Sequence, residues 1–338
     1  MSADSTPFSF SSAAIIGSGS FGTALAFLLG PKLEKITLIG RDAHVAEEIN
    51  THHRNPRYVS EAHLADHVRA SLELADAAHH DLVIFSVPTS ATRSTAEALA
   101  AIGTSAALVS SAKGMERNTG DRMSQILREV FPHNPLAVVS GPNHAEEIAN
   151  NMATCAVIGS HNPELATALQ KLFTLPHFRT YTSTDMPGIE LGGAIKNIYA
   201  IAAGIAAGLG LGDNAIAALV TRALSEMTRL GTALGGQRET FTGLSGIGDL
   251  IATCFSHHSR NHRVGLALGQ GKALDEAVAS IGMIAEGVPN TLSIYEAARQ
   301  AAVNTPIIDA VYSILYQNRP AALALRDLLS RDPRPEND

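Results

Sequence analysis

AAIIGSGSFGTALA, residues 13–26, decides how the rest of the chain is read. An apolar run, Ala13–Ile16, leads into Gly17-x-Gly19-x-x-Gly22, and a helical pattern, Ser20–Leu29, follows. A lone G-x-G-x-x-G carries little weight. Set between a strand and a helix at the head of an alternating pattern, it is a dinucleotide-binding fingerprint. Gly17 permits the tight turn, Gly19 leaves the backbone open to a pyrophosphate, and Gly22 lets helix and strand pack closely. The first N–H groups of the helix, unpaired within it, are then available to phosphates.

Further apolar runs fall at Ile36–Ile39, Leu82–Val87, Ala106–Ser110, Leu136–Val139, Thr154–Ile158 and Phe178–Thr182. Helical patterns such as Ala91–Ala101 and Asp121–Val130 lie between them. Several runs are continuously apolar, as strands covered on both faces are. The alternation predicts an α/β fold with an N-terminal Rossmann-like, doubly wound, mostly parallel sheet. The pattern changes at Asp185-Met186-Pro187, where Pro187 suits the first turn of a helix. Beyond it helices are predicted at Pro187–Ala207, Asp213–Leu234, Asn261–Leu268, Val288–Ala302 and Pro306–Gln317, with Asp213 and Asn304 as N-caps. The expectation is a dinucleotide-binding domain over residues 1–189 and an all-α substrate domain over 190–338.

A chain of 338 residues is long enough for two cores. Its net charge of −7 lacks the basic balance that nucleic-acid binding requires. An anionic small molecule remains open, because local cations decide its binding. Cys155 and Cys254 give no disulfide framework and fit a reducing compartment. MSADSTPFSFSS lacks the features of a secretory signal and reads as a flexible leader, so a cytoplasmic location is expected. The polar tail RDPRPEND reads as frayed. Ile195–Gly212 is the nearest approach to a membrane span, but Lys196, Asn197 and four glycines mark it as a helix packed inside protein.

The second apolar run ends in GRD, placing Arg41 and then Asp42 about twenty residues past the glycine loop. A guanidinium there can pair a 2′-phosphate, which favours NADP(H); Asp42 could hold a ribose 2′-hydroxyl and keeps NAD(H) possible.

Further segments carry a family resemblance: SSAKGMER (110–117), SGPNHAEE (140–147), LGGAIKNIYAIAAGI (191–205), LSGIGDLIATCFSHHSRNHRVG (244–265) and IAEGVPNT (284–291). With the glycine loop, their order and spacing from about residue 13 to 328 resemble the NAD(P)-dependent glycerol-3-phosphate dehydrogenases. The resemblance implies reduction of dihydroxyacetone phosphate to sn-glycerol 3-phosphate for phospholipid synthesis, and a homodimer. By it Lys196 is the proton donor or acceptor, Lys113 contacts substrate and cofactor, and Asp249 supports the catalytic lysine. Ser259, Arg260 and Asn261 would meet the substrate phosphate, with Gly141 and Asn143 in a substrate-touching loop. Ser20, Phe21, Arg41, Lys113, Ala145, Arg260, Ile284 and Glu286 fall at cofactor positions. The chain departs from the family at Asn143-His144, where Ser or Thr and then Phe are usual, which bears on the fine substrate contacts.

The residues support that chemistry physically. Reduction of a ketone creates an alkoxide, which a lysine ammonium can stabilise and protonate. Lys196 lies near the start of a Gly/Ala-rich helix at the domain junction, a favoured position for ligands. Asp249 would raise its pKa and Lys113 would lower it. Ser259 could cap a helix beginning at Arg260. Fourteen histidines, including His257 and His262 at near-ligand spacing, come without a completing Cys or carboxylate set, so no metal is expected. The rivals are a related dehydrogenase of another small hydroxy acid or phosphate ester, and a non-catalytic nucleotide sensor.

Overall fold

The structure, a computed structural model, describes residues 8–330 and Pro335. The start of the expected leader and nearly all of the tail lie outside the described residues. Among the described residues ten strands form: β1 (Ser12–Ile16), β2 (Lys35–Ile39), β3 (Arg54–Asn55), β4 (Val59–His63), β5 (Val68–Ser71), β6 (Leu82–Phe85), β7 (Ala107–Ser110), β8 (Leu136–Ser140), β9 (Thr154–Gly159) and β10 (Phe178–Ser183). Eight make one sheet in the order β10-β9-β8-β7-β6-β1-β2-β5. Its neighbours run parallel except β8 and β9, so β9 and β10 run against the rest. The sheet reverses its winding between β1 and β6, and the crevice outside the strand ends at such a switch point is where α/β folds hold ligands. β3 and β4 pair as a separate antiparallel hairpin.

Six helices cover the sheet: α1 (Ser20–Leu29), α2 (Ala43–His52), α3 (Thr89–Ile102), α4 (Met123–Val130), α5 (Ala145–Ala149) and α6 (Pro163–Phe173). One sheet face packs Ile15, Leu38 and Ile84 with Leu25 and Leu28 of α1 and Leu169 of α6. The other packs Ile16, Val83 and Phe85 with Leu99 of α3 and Leu127 of α4. Both faces are thus buried, which is why the strand runs lack polar alternation.

The second half is helical: α7 (Met186–Gly208), α8 (Asp213–Ala233), α9 (Arg238–Phe241), α10 (Asp249–Phe255), α11 (Arg260–Gly269), α12 (Leu274–Ala279), α13 (Gly287–Gln300), α14 (Pro306–Tyr316) and α15 (Ala321–Leu329). α7 is the central helix of this half. It is long and apolar enough to cross a membrane, yet 83% of its most apolar window is buried in the protein. Its glycines permit that burial. A Cβ on Gly204 would stand 2.1 Å from the His262 carbonyl oxygen, and one on Gly265 2.1 Å from that of Ile201, so α7 and α11 cross with backbones in contact. Met186 and Ile189, in the first turn of α7, belong to the core of the sheet.

Three sequence expectations are corrected. Gly212, not Asp213, caps α8, and Thr305, not Asn304, caps α14, because Pro306 takes the first helical position and the residue before it becomes the cap. Lys196 lies in the middle of α7 rather than near its start, as the bounds expected for this helix, Pro187–Ala207, already required.

Candidate active site

The glycine loop is built as its composition requires. Gly17 has φ +118°, and a Cβ there would lie 2.4 Å from the Ser86 carbonyl oxygen, at the end of β6. A Cβ on Gly22 would lie 1.8 Å from the Gly17 carbonyl oxygen. At Gly19 a Cβ would meet nothing within 4 Å. Gly19 is the N-cap of α1, and no side chain hydrogen-bonds to the first N–H groups of the helix. The cradle fits a pyrophosphate. Asn55, fully buried in β3, braces it by donating to the Ser18 carbonyl at 2.9 Å and to Thr23 Oγ1 at 2.8 Å. Ser20 Oγ, almost fully buried, donates to the Tyr58 carbonyl at 3.4 Å. Phe21 packs against the sheet core.

Arg41 and Asp42 follow β2. Arg41 is exposed and makes no hydrogen bond or ion pair among the described residues. Asp42 is already engaged: Oδ1 accepts from the His44 and Val45 N–H groups as the N-cap of α2, and Oδ2 pairs with Arg57.

The second centre lies where the two halves meet. A π-helical turn, Leu244–Gly248, delivers Asp249 to the first turn of α10. Asp249 is almost fully buried, and each carboxylate oxygen holds one lysine. Oδ1 accepts from Lys196 Nζ, and Oδ2 from Lys113 Nζ at 2.9 Å. Lys196 Nζ also donates to Thr253 Oγ1 at 2.6 Å, one turn along α10. Lys113 Nζ donates further to the Gly141 carbonyl at 3.0 Å and Asn143 Oδ1 at 2.9 Å. Gly193 makes the crossing possible, since a Cβ there would stand 2.7 Å from Ser140 Oγ and 3.3 Å from Lys113 Cγ.

The electrostatics follow from burial. The Lys196 side chain is 4% exposed and that of Lys113 19%, so approach from solvent is over Lys113. Burial lowers the Lys196 pKa to about 7; Asp249 opposes the shift and Lys113 adds to it. Burial also disfavours ionised Asp249, but the two ammonium charges outweigh it and hold its carboxyl below the usual range. Two cations share one anion, so the pocket is locally positive within an acidic chain. Asn143 Nδ2 and Ser140 Oγ are buried without a hydrogen-bond partner, an unmet demand that a polar ligand would satisfy. His144, the N-cap of α5, sits beside the cluster with Nε2 3.4 Å from the Ala252 carbonyl oxygen. Burial and then the Lys196 and Lys113 charges lower its pKa, keeping the ring neutral. Ala145 is the first residue of α5.

Around the cluster, asparagines join the elements. Asn261 donates to Asn197 Oδ1 at 3.0 Å and accepts from the Gly287 N–H at 2.9 Å, so its amide is already engaged across α7, α11 and α13. Asn290 Nδ2 donates to the Lys113 carbonyl at 3.0 Å, and its Oδ1 accepts from the Met115 N–H at 3.3 Å, clamping the turn that carries Lys113. Ser259 caps α11 by accepting from the His262 N–H at 3.2 Å. Arg260, half-buried at the start of α11, makes no hydrogen bond among the described residues. Glu286 accepts from Thr89 Oγ1 at 2.9 Å at the start of α3. Burial raises its pKa, against Thr89 and the Arg260 charge. Ile284 is 52% exposed. Among the described residues no group of three or more His, Cys, Asp or Glu side chains could hold a metal ion. A concavity of about 400 Å³ lined by Phe27, His63, Asp66 and His177 shares none of these groups.

The structure thus gathers Lys196, Lys113, Asp249, Gly141 and Asn143 into one contact network, and ties Asn261 to it through Asn197. Arg41 stands apart, at the far edge of the dinucleotide cradle. Sequence reading missed Thr253, Asn290 and Asn55. Thr253 had a local signal, its i+4 spacing from Asp249. The two asparagines act across long sequence separations and had none.

Residues 12–166 match the model of the NAD-dependent glycerol-3-phosphate dehydrogenase N-terminus, and residues 185–326 that of its C-terminus. The chain is 42% identical over 324 residues to glycerol-3-phosphate dehydrogenase (NAD(P)+) of Desulfitobacterium hafniense, covering 96% of this chain and 92% of that protein. It is 44% identical over 332 residues to the enzyme of that name from Chlorobium chlorochromatii, covering 96% and 99%. The crystal structure of glycerol-3-phosphate dehydrogenase from Coxiella burnetii superposes with a TM-score of 0.92 at 35% identity, covering 96% of this chain and all of that one. A ketopantoate reductase structure from Ralstonia eutropha, at TM-score 0.60 and 17% identity, shares the fold alone.

Proposed function

Because this chain belongs to the NAD-dependent glycerol-3-phosphate dehydrogenase family, we propose that it reduces dihydroxyacetone phosphate with NAD(P)H to sn-glycerol 3-phosphate, with Lys196 as the proton donor and, in reverse, the acceptor. The observation that carries this reading is the buried carboxylate of Asp249 held between two lysines. A nicotinamide dinucleotide held at the Gly17–Gly22 loop would supply the hydride for the substrate carbonyl carbon. The alkoxide oxygen then needs a cation and a proton. Lys196 supplies both, poised near neutral pH by burial and oriented by Asp249 and Thr253. Lys113, the more open ammonium, steadies the polar end of the substrate with Asn143. Arg260, with the first turn of α11 that Ser259 caps, receives the phosphate.

Gly17, Gly19, Ser20, Phe21 and Gly22 hold the dinucleotide backbone, with Ala145, Ile284 and Glu286 lining its path. The free guanidinium of Arg41 and the engaged carboxylate of Asp42 favour NADP(H) over NAD(H). Residues 1–189 form the dinucleotide unit and 190–338 the substrate unit. The family also motivates a cytoplasmic homodimer feeding phospholipid synthesis.

The test compares dihydroxyacetone phosphate with unphosphorylated dihydroxyacetone as oxidants of NADPH. The proposal requires kcat/KM at least about 100-fold higher for the phosphorylated ketone, since charged contacts supply that discrimination. NADPH binding without turnover of either ketone overturns it in favour of a nucleotide sensor.

A further inference from the structure

No apolar run in the sequence marks the hairpin β3–β4, yet it folds over the glycine loop. Asn55 ties it to Ser18 and Thr23, and the Tyr58 carbonyl accepts from Ser20. Between these two anchors lies Arg57. Its guanidinium pairs with Asp42 Oδ2 and lies over the Tyr58 ring, 5.5 Å from the centroid. A residue fastened to the phosphate cradle thus reaches the end of β2, where the adenosine ribose of a dinucleotide is read.

Asp42 is the residue that would accept a hydrogen bond from a ribose 2′-hydroxyl, and its charge would repel a 2′-phosphate. Both actions are weakened here. One oxygen is spent on the N-cap of α2, and Arg57 neutralises the other. The side chains of Arg57 and Asp42 are 62% and 38% exposed, and a pair this open contributes little to stability. Its consequence is the local charge: with Arg41 free beside it, the end of β2 carries two guanidiniums against one carboxylate.

We infer that Arg57 is a cofactor-specificity residue, which masks Asp42 and, with Arg41, forms a two-guanidinium clamp for the 2′-phosphate of NADP(H). This deepens the proposed function at its adenosine end and rests on the dinucleotide site described there. Planar guanidiniums bind phosphate in bidentate fashion, and an ammonium at the same position would recover only part of the effect. Removing Arg57 both takes away a phosphate partner and unmasks the Asp42 charge, so the loss falls on NADPH.

The experiment is fluorescence titration of the full-length protein with NADPH and NADH, which needs no turnover. Arg57→Ala lowers NADPH affinity about tenfold more than NADH affinity, and Arg57→Lys lies between it and the unaltered protein. With Asp42→Asn already in place, Arg57→Ala costs clearly less, because no charge is left to unmask. Equal losses for the two dinucleotides, or unchanged NADPH affinity, overturn the inference. A selective loss in a protein that turns over no dihydroxyacetone phosphate would sustain the clamp and refute the proposed reaction, so the two claims fail separately.

Discussion

Replacing Asp249 by Asn removes the one anion between Lys196 and Lys113 and leaves the shape nearly unchanged. Lys196 has a pKa of about 7 with that anion in place. A unit charge about 3 Å away, at an effective dielectric of about 20, is worth about 5 kcal/mol, or roughly four pK units. Relaxation and water entry reduce this, and a fall of about two units is a conservative figure. At pH 7.5 the protonated share of Lys196 then drops from about a quarter to about one in three hundred, roughly 80-fold. The assay is kcat/KM for ketone reduction between pH 5 and 9, which reports the free enzyme. The unaltered protein should lose reductive activity as pH rises through about 7, since the donor must hold its proton. For Asp249→Asn the same decline should begin near pH 5, with much of the activity recovered at the acid end. A lowered profile with an unmoved inflexion would refute the assignment of Asp249 as the group that sets the Lys196 proton.

Two further outcomes test the frame around the site. Glu226 is buried in α8 and accepts from the Ile307 and Ile308 N–H groups at the start of α14, at 3.0 Å each. Burial raises its pKa to about 7 against those bonds, so the folded protein binds the extra proton between its unfolded value of about 4.5 and about 7, and the group's contribution to stability falls as pH rises through that window. The total is about 3 kcal/mol, and Glu226→Gln should remove it: the stability difference between the two proteins in urea should shift by that order between pH 5 and 8, whereas a constant difference would show that Glu226 does not titrate in the folded state. Gly22→Ala places a methyl 1.8 Å from the Gly17 carbonyl oxygen, so it should weaken NADPH binding at least tenfold and lower thermal stability by about 1–3 kcal/mol; unchanged binding would mean the turn is not the pyrophosphate cradle.

The sequence was most legible where local pattern and tertiary role agree. Ala13–Ile16, Leu82–Phe85 and Leu136–Val139 are apolar throughout because both faces of the sheet are covered. The helix expected at Ser20–Leu29 is observed with those bounds, since the glycines fix its start. β5, Val-Arg-Ala-Ser, was not legible: at the sheet edge only Val68 is fully buried, so it lacks an apolar run. The β3–β4 hairpin is held by the Asn55 side chain and by only two buried apolar residues of β4, Val59 and Ala62, three apart rather than alternating, and Asn carries no strand signal. In the site, motif resemblance named Lys113, Lys196 and Asp249, and their contacts bear on that reading. What motifs do not convey is depth. Lys196 could have been a lysine snorkelling to solvent, and its burial beside a carboxylate reached through a π-helical turn emerges only when α7 and α10 are packed.

The most direct test of the account is the steady-state oxidation of NADPH by dihydroxyacetone phosphate in the unaltered protein and in Lys196→Met, with NADPH affinity measured alongside. Loss of a positioned proton donor should cut kcat by about 10²–10⁴-fold. NADPH affinity should stay within about threefold, because Lys196 lies at the lysine–aspartate cluster and not in the glycine loop. Turnover by Lys196→Met close to that of the unaltered protein would contradict the central claim that Lys196 carries the proton.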